Sequence, residues 1–310
     1  MPELKGRPTD QLGQIYHEWI TEMTRYPDMS LNLLRIIFED WQRATEEPEG
    51  VTYARREFGG VSGLVVNPIG ATGPEIMLLL HGGGFALGSS ATHRKLAGHF
   101  AAATRRSVFV ADYRLAPENP YPAPLDDCCA AFEGLVAAGY DPADVIPLGD
   151  SAGGNLAIAV TLRRMHDRLP LPRQVVVLSP WLNMENNGAT LVTNDATDFL
   201  IAPEGLQANI DRYLSGGVSP TDPRVNALYA NFSGFPRLFI NAGSVESLLD
   251  NALQLEARAR DAGVDVHLSV GAGMQHVYPL MAGKHAAADQ LIEEVAGWLD
   301  LKPQTPSHTT

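Results

Sequence analysis

Gly149-Asp150-Ser151-Ala152-Gly153-Gly154 decides how this 310-residue chain is read. Before it, Val145-Ile146-Pro147-Leu148 has the apolar character of a short buried strand, and after it Asn155-Leu156-Ala157-Ile158-Ala159-Val160 continues as a helix former. In a G-x-S-x-G pattern at such a hinge, the serine takes a strained backbone and projects its hydroxyl from a sharp turn. Gly149 and Gly153 flank it because strand and helix approach there too closely for side chains. The helix N-terminus would then point free N–H groups and partial positive charge at any negative charge developing nearby. Alone, the pentapeptide is a weak signal in a chain with 29 glycines, so its weight depends on partners elsewhere.

Outward from this turn the chain alternates strand-like and helix-like segments. Strands are expected near 53–58, 61–67, 76–81, 107–112, 145–149, 174–179, 237–242 and 264–270, and helices near 92–104, 124–138, 151–167, 248–262 and 284–299. Ile76-Met77-Leu78-Leu79-Leu80 and Gln174-Val175-Val176-Val177-Leu178 are near-continuous apolar runs, as strands covered on both faces require. The expected fold is therefore α/β, an eight-stranded, mostly parallel sheet with helices on both faces. Such sheets bind ligands beyond the carboxyl ends of their strands. Pro147 breaks a local rule, because it removes a ladder N–H and would normally demote its strand to an edge, unless a bulge or an out-of-register end accommodates it.

Two segments fall outside the rhythm. Residues 9 to about 46 are amphipathic and helical, with Leu12, Ile15, Tyr16, Trp19, Ile20 and Met23 at three- and four-residue spacing and a second run after a break at Pro27. Residues 183–223 are an insertion containing one helical stretch near 203–214. The division expected is a helical cap segment over residues 1–50 and a main domain over 51–310, with 183–223 contributing to the cap.

Net charge is −13, from 23 basic and 36 acidic residues, which argues against nucleic-acid or anionic-membrane partners. No apolar run reaches 20 residues, the N-terminus lacks the apolar segment of a secretory signal, and Cys128 and Cys129 are adjacent. These features predict a cytoplasmic protein that works on a small molecule.

The chemistry assembles at strand ends. His81-Gly82-Gly83-Gly84-Phe85 follows an apolar strand directly, and three glycines leave backbone N–H groups open to a ligand oxygen. No G-K-[ST] accompanies them, so a nucleotide loop is disfavoured. With a serine turn downstream, the N–H groups of Gly83, Gly84 and Ala152 are expected to form an oxyanion hole, with His81 pinning the loop. The serine needs a base. His17, His93, His99, His166, His285 and His308 sit in helical or terminal segments, and His267 lies inside a strand. His276 follows the last strand in the loop Gly271-Ala272-Gly273-Met274-Gln275-His276, at the right end of the sheet. The carboxylate that orients it is expected in Glu246-Ser247-Leu248-Leu249-Asp250, with Glu246 nearer the strand end than Asp250. Trp19 and Trp41 would line the entrance, and Phe85, Leu87, Trp181 and Val277 the pocket walls.

The order nucleophile, acid, histidine is that of the α/β-hydrolases. With His81-Gly82-Gly83-Gly84, Asp112-Tyr113-Arg114-Leu115-Ala116-Pro117-Glu118, Tyr121-Pro122-Ala123, Gly149 to Gly154 and Gly273-Met274-Gln275-His276, the chain resembles the hormone-sensitive-lipase-like (bacterial family IV) esterases over nearly its whole length. The resemblance implies carboxylic-ester hydrolysis with a Ser151-His276-Glu246 triad, a helical cap, no metal or cofactor, and an assembly that is often a homodimer. Matching the family's D-P-L-x-D motif to Glu246–Asp250 supports Glu246, although relatives usually carry Asp there. Lactones are candidate substrates beside simple esters. The competing readings are an amidase or peptidase using the same residues, and a non-catalytic small-molecule receptor of the kind that lacks the histidine.

Overall fold

In the computed structural model of this chain, which describes residues 8, 10–26, 28–71 and 73–301, the apolar runs become one eight-stranded sheet. Helices α1 (Gln11–Arg25) and α2 (Leu31–Phe38) come first, followed by strands β1 (Val51–Phe58), β2 (Val61–Pro68) and β3 (Ile76–Leu80). Then α3 (Arg94–Thr104), β4 (Ser107–Ala111), α4 (Ala123–Ala137), β5 (Val145–Asp150), α5 (Ala152–His166) and β6 (Gln174–Leu178) alternate. The remaining elements are α6 (Thr190–Thr193), α7 (Pro203–Tyr213), β7 (Arg237–Gly243), α8 (Leu249–Asp261), β8 (Val266–Gly271) and α9 (Ala286–Asp300). The expected helix start at residue 9 and the break at Pro27 lie outside the described residues.

Strand order is β1-β2-β4-β3-β5-β6-β7-β8. β2 pairs antiparallel with β1 and β4, and the pairs from β4 to β8 are parallel. All five residues of β3 are buried, which requires apolar layers on both sides. Ile76, Leu78 and Leu80 face one core with Phe132, Leu156 and Leu255 of α4, α5 and α8. Met77 and Leu79 face the other, with Phe100 and Leu291 of α3 and α9. Each fully buried Leu or Ile of this kind contributes about 1.5–3 kcal/mol over its exposed state.

β5 is central, so Pro147 does not demote its strand to an edge. Pro147 pairs in register with Leu78, while the ladder to β6 begins one residue later, at Leu148↔Val176. The residue without an N–H thus sits where pairing to β6 has not yet begun.

α1 starts where the Asp10 carboxylate accepts the Gly13 N–H at 2.7 Å, and α2 where the Ser30 hydroxyl caps Leu33. Tyr16, Trp19, Phe38 and Trp41 then interlock, with Phe38 and Trp41 ring centroids 4.4 Å apart. This aromatic group, α7 and the carboxyl end of the sheet enclose one cavity of about 530 Å³. Among the described residues no helix is long and apolar enough to cross a membrane.

Candidate active site

Ser151 sits between β5 and α5 with φ 52° and ψ −120°, a backbone that non-glycine residues rarely adopt. The neighbours hold it there. Its N–H donates to the Leu178 carbonyl and its carbonyl accepts from the Trp181 N–H, both at 2.9 Å. A methyl group on Gly149 would lie 2.1 Å from the Gly153 carbonyl oxygen, and one on Gly153 would lie 1.8 Å from that of Leu80. Both flanking glycines are therefore required by close backbone approach, as the pentapeptide implied.

His276 is brought by the loop after β8, and its Nε2 lies 3.0 Å from Ser151 Oγ. Its Nδ1 faces Glu246 Oε1 at 3.6 Å, a charge contact longer than a hydrogen bond. The other oxygen of that carboxylate, Oε2, accepts from Ser179 Oγ at 2.7 Å and from the Gly243 N–H at 3.0 Å. Asp250 turns away, accepting from the Ala189 N–H and Gln254. Of the two acids open at the sequence level, Glu246 alone meets the imidazole. Burial pushes the His276 imidazole toward its neutral form, but Glu246, with Asp198 and Asp150 further off, outweighs this and holds its pKa above the ordinary value.

Gly83 and Gly84 have φ of 119° and 63°, and the loop closes by Gly83 accepting from the N–H groups of Ala86 and Leu87. Among the described residues no protein acceptor takes the N–H groups of Gly83, Gly84 or Ala152, and both glycines line the cavity with Ser151 and His276. The Asn209 amide stands against Gly84, where a methyl group would come within 2.3 Å of Nδ2, and Arg212 holds that amide through Oδ1 at 2.8 Å.

His81 serves the loop. Its ring stacks on Tyr113 at 4.3 Å, its carbonyl accepts the Tyr113 hydroxyl, and burial together with the neighbouring His93 lowers its pKa to about 4. His267 pairs with Glu294 instead of Ser151. His308 lies outside the described residues.

Trp19, Trp41, Leu87 and Trp181 line the cavity as expected, together with Met23, Leu34 and Leu206. Phe85 and Val277 do not, which corrects the pocket assignment. Both side chains pack into the core instead: Phe85 stacks on Tyr213 at 3.8 Å, and Val277 is fully buried.

Three polar partners were not found by sequence reasoning. His93 Nε2 contacts Asp150 Oδ1 at 3.0 Å beneath the serine turn, off the hydrogen-bond axis, and the same oxygen accepts the Gly82 N–H at 3.0 Å. Asp198, inside the insertion, is fully buried and accepts the N–H groups of Leu200, Ile201 and Ser247. Tyr16 donates its hydroxyl to the His276 carbonyl at 2.9 Å. Local spacing does not mark their distant contacts, His93 with Asp150, Asp198 with Ser247 and Tyr16 with His276.

The chain and its fold have counterparts among known proteins. A family model described as alpha/beta hydrolase fold matches residues 77–280. An esterase of Acinetobacter venetianus is 32% identical over 269 residues, covering 87% of this chain and 88% of its own. An acetyl-hydrolase of Streptomyces hygroscopicus is 37% identical over 202 residues, covering 65% and 67%. A crystal structure of an esterase from the bacterial hormone-sensitive lipase family superposes with a TM-score of 0.88 at 35% identity, covering 95% of this chain and 98% of that one. The chain belongs to the hormone-sensitive-lipase-like (bacterial family IV) esterases of the α/β-hydrolase superfamily and is a carboxylic-ester hydrolase.

Proposed function

We propose that the chain hydrolyses small to medium acyl esters, lactones included, with Ser151 as nucleophile, His276 as general base, Glu246 as the carboxylate behind it, and the N–H groups of Gly83, Gly84 and Ala152 as the oxyanion hole. The observation that carries this reading is the 3.0 Å contact between Ser151 Oγ and His276 Nε2, on the wall of a largely apolar cavity. A hydroxyl that close to an imidazole can pass its proton across as it attacks a carbonyl carbon.

In the first half-reaction the Ser151 oxygen bonds to the carbonyl carbon, its proton moves to His276 Nε2, and the carbonyl electron pair moves onto oxygen. Three uncommitted N–H groups then face that oxyanion, each contributing on the order of 3 kcal/mol to the barrier reduction. Glu246 stabilises the imidazolium, which then protonates the departing alcohol. Water repeats the sequence on the acyl-enzyme and releases the acid. The cap in this reading is residues 1–50 with 183–223, whose aromatic and aliphatic side chains hold the apolar part of the ester in a dry site.

Turnover of a panel of nitrophenyl esters, a lactone and a nitroanilide by the wild type and by Ser151→Ala tests this. Ester turnover that disappears in the variant supports it. A Ser151→Ala protein that keeps wild-type turnover, or a wild type active on the nitroanilide alone, contradicts it.

A further inference from the structure

The peptide plane joining His276 to Val277 is held from two sides by different parts of the fold. Its N–H end, that of Val277, donates to Ser179 Oγ at 3.0 Å, and the same hydroxyl donates to Glu246 Oε2. Its carbonyl end, that of His276, accepts the Tyr16 hydroxyl of α1 at 2.9 Å, a contact spanning 260 residues of chain. Tyr16 is itself completed from behind, because the indole Nε1–H of Trp41 donates to its oxygen at 3.0 Å. Tyr16 and Trp41 are both buried, and burial pushes the Tyr16 phenol far above its ordinary pKa, so it remains a donor at any working pH.

This plane needs holding. Val277 is β-branched and sits at φ 52°, ψ 43°, a left-handed conformation such residues avoid at a cost of about 1–3 kcal/mol unless the surroundings enforce it. Loss of either tie would free the loop that carries the His276 ring to shift relative to Ser151 Oγ. Trp41 also sets its ring edge-on against His93 at 5.4 Å, and His93 touches Asp150, the residue before Ser151. One N-terminal indole therefore abuts the supports of both the base and the nucleophile.

We infer that Tyr16, backed by Trp41, is a positioning residue for His276: the N-terminal helical segment fixes the imidazole toward Ser151 by clamping the His276 carbonyl, so the base is competent when that segment is docked. The inference rests on His276 being the base. It makes α1 part of the catalytic framework as well as a wall of the cavity, and gives the chain a means of coupling cap docking to turnover.

Steady-state hydrolysis of p-nitrophenyl butyrate by Tyr16→Phe, which removes one oxygen and keeps the ring, tests it, with thermal melting recorded on the same samples. The expected result is a fall in kcat of roughly 10- to 100-fold, the scale of a small misplacement of a reacting group, with KM within about twofold of wild type. Trp41→Phe is expected to lower kcat several-fold alone and by clearly less in the Tyr16→Phe background, the remainder coming from its contacts with His93 and the cavity. A Tyr16→Phe protein with a lowered melting temperature and wild-type kcat overturns the inference, as does a Trp41→Phe effect that is undiminished in the double variant. If Tyr16→Phe does not fold, wild-type kcat in Trp41→Phe overturns it and a several-fold fall supports it. His276→Ala in parallel separates the two claims, because wild-type activity there would overturn the assignment of the base itself.

Discussion

Glu246 Oε2 accepts the hydroxyl of Ser179 at 2.7 Å while its other oxygen faces His276 Nδ1 at 3.6 Å. The carboxylate is tied at one oxygen while the other stays toward the imidazole. Glu246→Gln removes the charge that stabilises imidazolium and offers an amide in its place, so kcat is expected to fall on the order of 10³- to 10⁴-fold. Glu246→Asp keeps the charge but cannot reach both Ser179 and His276 without backbone movement, and a smaller fall of roughly tenfold is expected. Parallel kcat measurements on both variants check this; equal losses would show that reach, and not charge, is what the site requires.

The pH profile follows from the same pair. Because neighbouring carboxylates hold the His276 pKa above its ordinary value despite burial, the neutral base forms only at higher pH, and the acid limb of kcat/KM should lie above about 6.5. In Glu246→Gln burial persists while the main opposing charge is lost, so the limb should move to lower pH as the rate drops. For stability the sign runs the other way. A folded pKa above the unfolded one favours the protonated fold, so this contribution is present below about pH 6.5 and is lost as pH rises through the folded value. A wild-type limb below 6.5 would contradict the assignment of these charges.

Two glycines separate stability from rate. Gly153→Ala would drive a methyl group to 1.8 Å from the Leu80 carbonyl oxygen, where only backbone could yield, and should cost about 3 kcal/mol of unfolding free energy by denaturant titration. At Gly84 the obstacle is Asn209 Nδ2 at 2.3 Å, the end of a side chain that can swing aside. Gly84→Ala should therefore fold, but the strained φ of 63° misaims the N–H, and kcat should fall on the order of 100-fold, as for the loss of one oxyanion donor. Unchanged kcat would remove Gly84 from that role.

What could be read from the chain was whatever is encoded within a few residues. Apolar runs mark the central strands because both faces of a parallel sheet are covered, and all eight expected strands formed, with ends shifted by at most two residues. The Gly149 and Gly153 spacing follows from backbone contact at the turn itself. The role of Pro147 stays open at the level of sequence because its cost depends on where the ladder to β6 begins, which is a property of the neighbouring strand. The loops of Phe85 and Val277 reach the pocket wall, yet both side chains pack into the core against neighbours distant in sequence, which local pattern does not encode. Tyr16, Asp198 and His93 stayed hidden for a related reason: helical periodicity marks Tyr16 as buried without saying that its hydroxyl meets a carbonyl 260 residues away.

His93 supplies the last prediction. It is fully buried against Asp150, and Asp150 Oδ1 also accepts the Gly82 N–H, so this carboxylate ties the serine turn to the glycine loop. His93→Phe keeps an aromatic ring beside Trp41 but puts an apolar edge in place of the imidazole nitrogen 3.0 Å from the buried Asp150 carboxylate, which should lower stability. Because Gly82 precedes Gly83, loosening the tie should also move the oxyanion N–H groups relative to Ser151. The expected outcome is a lowered unfolding midpoint together with reduced kcat on short and long acyl esters alike, since the change lies beneath the serine turn and not in the cavity wall. A variant with lowered stability and wild-type kcat would mean that Asp150 holds the loop without this histidine.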